Sequence, residues 1–169
     1  MGLNENLAAA KQAVAYVASK MRIGASNQMD QYMVWAADEK TMFTMKNQCL
    51  GKVRAATTSS DWELKITQAK DAAEKHGCGN CGEQAAMAFK FLERNGIRPL
   101  EFCFRTLDRH EFVMIGRKAD AIAEKIETWG PDAVICDPWD RMQAYPASQI
   151  QVKQFGTGKK DAFANYWVD

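Results

Sequence analysis

Residues 78–96 read Cys78-Gly79-Asn80-Cys81-Gly82-Glu83-Gln84-Ala85-Ala86-Met87-Ala88-Phe89-Lys90-Phe91-Leu92-Glu93-Arg94-Asn95-Gly96. After the glycine-rich opening, Ala85, Ala88, Phe89 and Leu92 fall at i, i+3, i+4 and i+7, the spacing of one helical face. The helix therefore begins at or just after Cys81, and Gly96 stands where a left-handed cap would end it. Upstream the chain reads as helix. Leu3, Leu7, Ala10, Val14, Val17 and Met21 follow at steps of four and three, which predicts an amphipathic helix over residues 4–21, ending near Gly24. Ser26 can cap a second helix with Met29, Met33 and Ala36 on its stripe, blurred beyond by Met42, Phe43 and Met45. Ser60-Asp61-Trp62-Glu63 matches a capping box and opens a helix through Lys75 that stops at His76-Gly77.

Downstream the period changes to two. Leu100, Phe102 and Phe104 alternate with Glu101, Cys103 and Arg105, as in a half-buried strand, and Asp108-Arg109 supplies a turn. Phe112 to Ile115 and Ala133 to Cys136 are unbroken apolar runs, expected of central strands covered on both faces. Ala119 to Thr128 reads as a helix between them, and Ile150, Val152 and Phe155 suggest one more strand. Helices first and antiparallel strands second make an α+β domain, 1–169, with a helical N-terminal extension over 1–60 and the core over 61–169.

The 169 residues carry 22 Lys and Arg against 21 Asp and Glu, a net charge of +1, and no basic run longer than Lys159-Lys160. That balance speaks against nucleic acid as the main partner. Asn4, Glu5, Lys11 and Gln12 interrupt the first twenty residues, and no window reaches about eighteen apolar residues, so neither a Sec signal peptide nor a membrane span is expected. Five cysteines, Cys49, Cys78, Cys81, Cys103 and Cys136, are an odd count that suggests thiols kept in a reducing compartment.

Chemistry is expected first at Cys81. A helix N-terminus stabilises a thiolate through its partial positive charge, and its unpaired N–H groups can receive an oxyanion. A buried, inert sulfur is the alternative. A cysteine nucleophile needs a base, and the chain has two histidines. His76 ends a helix, where it would interact with the helix dipole; His110 opens an apolar strand after a turn. Asp137 closes the run 133–136 and precedes Pro138, which keeps it extended. Antiparallel pairing of Phe112 with Ile135 would set His110 opposite Asp137 on one face, where the carboxylate could orient the imidazole.

These residues carry a resemblance. Cys78-Gly79-Asn80-Cys81 leading into a helix with Ala85, Ala86, Ala88 and Phe89 resembles the nucleophile segment of papain-like cysteine proteases. His110-Glu111-Phe112-Val113-Met114-Ile115-Gly116 and Val134-Ile135-Cys136-Asp137-Pro138-Trp139 are similar to the His and Asp blocks of the wider papain and transglutaminase-like superfamily, which includes bacterial effector proteases and glutamine deamidases. The similarity spans roughly residues 76–140. It implies a thiol hydrolase acting on a protein amide through Cys81, His110 and Asp137, with no cofactor and no metal. The effector likeness implies delivery into another cell by a secretion machine, with a host protein as substrate; a resident cytoplasmic enzyme is the other location expected. One position departs from the pattern: papain-like proteases carry an oxyanion glutamine six residues before the nucleophile, where this chain has Lys75. The second oxyanion donor is then unassigned. Asn80 and Gln84 are the nearest candidates, against a plain N-cap for Asn80 and a solvent-facing Gln84. Trp139 either walls the site or belongs to the core.

Three other readings compete. Cys78-x-x-Cys81 before a helix is also a redox arrangement, although a helix and not a strand precedes it. His76, Cys78 and Cys81 with Cys103 or Cys136 could hold a metal, although no second close pair exists. The methionine-rich helices and the tail residues Phe163, Tyr166 and Trp167 would suit a non-enzymatic interaction module, in which Cys81 would be unreactive.

Overall fold

The computed structural model describes residues 1–28, 38–105, 109–122 and 125–149, and the backbone of 164–168. Four helices come first: α1 (Leu3–Lys20), α2 (Glu39–Ala55), α3 (Trp62–His76) and α4 (Cys81–Arg94). Five strands follow: β1 (Leu100–Arg105), β2 (His110–Ile115), β3 (Val134–Cys136), β4 (Ala144–Pro146) and β5 (Ala164–Val168). They form one sheet in the order β4-β3-β2-β1-β5, with every pairing antiparallel. The class is α+β.

Helices α1 and α4 lie against one face of the sheet, α3 packs on α4, and α2 packs on α3. Ala10, Ala13 and Val17 of α1, Ile66 and Ala73 of α3, and Ala85, Phe89 and Leu92 of α4 share a core with Leu100, Phe102, Val113, Ile115 and Val134. Small residues on α1 and α4 let the two helices approach closely, and α1, from the stretch read as an extension, is a layer of that core. Leu3 N and Asn6 Nδ2 donate to the Asp132 carboxylate and carbonyl at 3.0 and 2.8 Å, tying the first turn of α1 to the loop before β3.

Several expectations are corrected. β1 is not half-buried: Glu101, Cys103 and Arg105 are covered as well, because a second apolar cluster of Cys103, Phe112, Met114, Trp129, Ile135 and Tyr145 closes the other face. Arg117 satisfies Glu101 there with two hydrogen bonds of 2.8 and 2.7 Å. The helix expected over 119–128 is, among the described residues, only a 3₁₀ turn at Ile126–Thr128. Burying Trp129, whose indole N–H donates to Ile122 O at 3.1 Å, competes successfully with helical propensity in that segment. The cap of α3 is Asp61, accepting from Leu64 N at 2.9 Å, and not Ser60. Gly77 ends α3 in the left-handed region at φ 77°. The helix expected around Met29, Met33 and Ala36, the residues Asp108, Lys159, Lys160 and Phe163, and the strand read at Ile150, Val152 and Phe155 lie outside the described residues. Tyr166 and Trp167 fall in β5. None of the described helices is long and apolar enough to cross a membrane.

The expectation of free thiols also fails at two positions. Cys49 of α2 and Cys78 form a disulfide, with Cα atoms 6.2 Å apart and a sequence separation of 29. Cys81, Cys103 and Cys136 are free.

Candidate active site

The segment 77–80 is held from several sides, and that holding fixes where α4 begins. Cys78 is bonded to α2, Ile23 N donates to Gly77 O at 2.7 Å, and Gly24 pairs with Cys78 as an isolated bridge. The Asn80 side-chain carbonyl accepts from Ser26 N and Ser26 Oγ at 2.9 and 3.2 Å, while Asn80 N donates to the Glu83 carboxylate at 2.8 Å. Asn80 is thus the residue before the helix, but its oxygen serves Ser26, and its NH₂ group has no partner among the described residues. Cys81 follows as the first residue of α4 and is the only free thiol that is partly exposed; Cys103 and Cys136 are fully buried. Burial pushes both of those thiols up in pKa, with the Glu101 charge adding to the effect at Cys103 and the Asp137 charge at Cys136.

His110 opens β2 and Asp137 follows β3. The two strands pair Val113 with Cys136 and Met114 with Ile135, so the expected register of Phe112 with Ile135 is off by two residues. Continued by one step, the observed register sets Phe112 opposite Asp137. Because side chains alternate along a strand, a slip of two keeps every residue on its face, and His110 meets Asp137 diagonally instead of directly. His110 Nε2 lies 2.5 Å from Asp137 Oδ2, with the side chains 11% and 4% exposed. Asp137 Oδ1 accepts from Trp139 N and Asp140 N, each at 3.2 Å, so both carboxylate oxygens are held.

With Nε2 committed to Asp137, Nδ1 is the nitrogen left to face Cys81 across the cleft that both residues line. Burial alone would lower the imidazole pKa. The hydrogen bond that the imidazole donates to the Asp137 carboxylate and the nearby Cys81 outweigh it, and His110 is pushed up to about 10. Arg109, just before it, takes a left-handed conformation at φ 57°, sparsely populated for a residue with a side chain, and this turn brings its carbonyl to 4.0 Å from the Cys81 sulfur.

A cleft of about 460 Å³ opens over Cys81, His110 and Asp137, with Arg105, Tyr145 and Trp139 on its walls. Trp139 is a wall residue: its ring centroid is 5.2 Å from that of His110, and its indole N–H donates to Asn27 Oδ1 at 3.0 Å. Gln84 is neither solvent-facing nor in the cleft; it is fully buried and donates to Gly79 O at 3.1 Å, bracing the loop. His76 lies at the end of α3 and lines neither this cleft nor the one described below. Cys78, bonded to Cys49, takes no part in a dithiol with Cys81, and among the described residues no group of three His, Cys, Asp or Glu side chains is placed to hold a metal ion.

Family models, curated proteins and solved structures give no match to this chain. The wall residues Asn27, Arg105, Arg109 and Tyr145 were not singled out in the sequence for the site. Arg105 and Arg109 flank the turn into His110 and so had a positional signal; the Asn27 to Trp139 contact, across 112 residues, had none.

Proposed function

We propose that the protein is a thiol hydrolase acting on an amide of a protein substrate. The observation that supports this reading is that Cys81, at the start of a helix, lines one cleft with His110, which is hydrogen-bonded to Asp137. His110 takes the Cys81 proton and so frees the sulfur to attack. Cys81 Sγ attacks the amide carbon and forms the C–S bond as the carbonyl π pair moves to oxygen. The free N–H groups at the start of α4 and the Asn80 NH₂ would supply the donors for that oxyanion. His110 gives its proton to the leaving nitrogen as the C–N bond breaks. Water then attacks the thioester while His110 takes one of its protons, and the sulfur leaves. Asp137 holds the ring in place through both halves.

Peptide-bond cleavage and glutamine deamidation share these steps. The test incubates wild type and Cys81→Ala with casein, an unfolded substrate offering both kinds of amide, and reads intact and peptide masses. Fragments, or a gain of about one dalton per site, are expected with wild type only. Equal spectra from the two proteins would overturn the proposal.

A further inference from the structure

Cys81 lies at the junction of two clefts. The second, of about 720 Å³, opens on the side of α3 and α4 and shares Asn27, Cys81 and Arg109 with the first. Among its charged groups, Arg54, Glu83 and Lys65 have partners, while Arg109 and Glu111 have none among the described residues. Arg54 approaches Glu83 Oε1 at 3.6 Å, Glu83 Oε2 accepts from Asn80 N, and the Lys65 ammonium sits 4.8 Å from the centre of the Trp62 ring. Glu111 accepts no hydrogen bond and forms no ion pair among the described residues. Its carboxylate rests against Gly82, the residue after Cys81, and only a glycine leaves room for it: a Cβ there would overlap Glu111 Oε2. Alternation along β2 sends Glu111 to the opposite face from His110, so the two neighbours serve the two clefts.

We propose that Glu111 is a specificity-determining residue, accepting a hydrogen bond from an N–H of the substrate amide seated in the second cleft beside the carbonyl that Cys81 attacks. The inference rests on the thiol-hydrolase reading and adds to it a substrate class: amides that keep an N–H in this cleft. Arg54, Lys65 and Arg109 outnumber the two carboxylates there, so a neutral donor suits the cleft better than a cation. Burial, then the Glu83 charge, raises the Glu111 pKa, and Lys65, His110 and Arg54 pull it down; either protonation state keeps an oxygen able to accept from an amide.

The test compares alkylation of Cys81 by 2-chloroacetamide, which carries an N–H₂, and by 2-chloro-N,N-dimethylacetamide, which carries no N–H. Rates are read by intact mass at neutral pH and divided by those of glutathione with the same reagents. Wild type should favour the N–H reagent by about tenfold beyond the glutathione ratio, the effect of one hydrogen bond to a charged acceptor. Glu111→Leu, checked for folding by circular dichroism, should return the ratio to that of glutathione, and Glu111→Gln, which keeps an acceptor oxygen, should retain most of the preference. A wild-type ratio equal to that of glutathione, or one unchanged in Glu111→Leu, would overturn the assignment; the first comparison requires no variant. A Cys81 that reacts no faster than glutathione with either reagent would remove the hydrolase reading and this inference together.

Discussion

His110 shows how one side chain links stability to pH. Its folded pKa of about 10 lies above the ordinary value of 6.5, so the stability it contributes is complete below about pH 6.5 and is lost as pH rises through 10. His110→Ala should flatten the fall in urea midpoint between neutral and alkaline pH, which denaturation curves across that range would reveal. Asp137→Asn removes the charge that supports the imidazolium; turnover should fall by about a hundredfold or more, and the alkaline limb of the pH profile should move toward neutral. Glu111 has the same sign from a different cause. Its pKa is raised by burial and by Glu83, so the ionised form is disfavoured in the folded state, and stability declines as pH rises through its folded value. Glu111→Gln should therefore melt higher at neutral pH, by about 2 °C in a calorimetric scan, even as it alters the cleft. Cys81, His110 and Asp137 were legible in the sequence because each sits at an element boundary with its own local mark: a glycine-rich helix start, a turn before an apolar run, and a proline after one. Glu111 was visible only as a polar residue in the His block, since its importance lies in what faces it across space.

Among the elements, α4 is the clearest case of sequence and structure agreeing, from its start at Cys81 to Gly96 at φ 70°. The pairing of β2 with β3 is less direct. Periodicity determines which residues share a face but leaves registers two apart equivalent, so the meeting of His110 with Asp137 was readable while the partner strand position was not. Residues 119–128 have the composition of a helix, but the described ones hold only a 3₁₀ turn, with Ala121 and Ile126 packed beside the buried Trp129 over the second face of the sheet. The Cys49–Cys78 disulfide had no local mark, as 29 residues of separation say nothing about pairing. By closing a loop of that length it should stabilise the fold by about 3 kcal/mol. Cys49→Ser is expected to lose about that much in urea unfolding, and added reductant should then have little further effect on the variant.

Across the whole molecule, the first and last thirds of the chain depend on each other. Asp132 receives the first turn of α1 through its carboxylate and its carbonyl, and five residues later Asp137 orients His110. Asp132→Ala should lower stability by about 1 kcal/mol, as for the loss of a helix cap, measured by urea unfolding. The α+β class followed from the order of helical and strand periods, since those periods are properties of short windows. The two clefts did not, because they are formed by residues such as Asn27, Trp62 and Tyr145 that are brought together only by packing.

Burial of Cys103 and Cys136 has a practical use. A gentle sulfhydryl dye applied without reductant meets a single open target per chain, so the bound fluorescence counts properly assembled molecules in a preparation. A stoichiometry above one would signal material whose interior has come apart, before any assay is run.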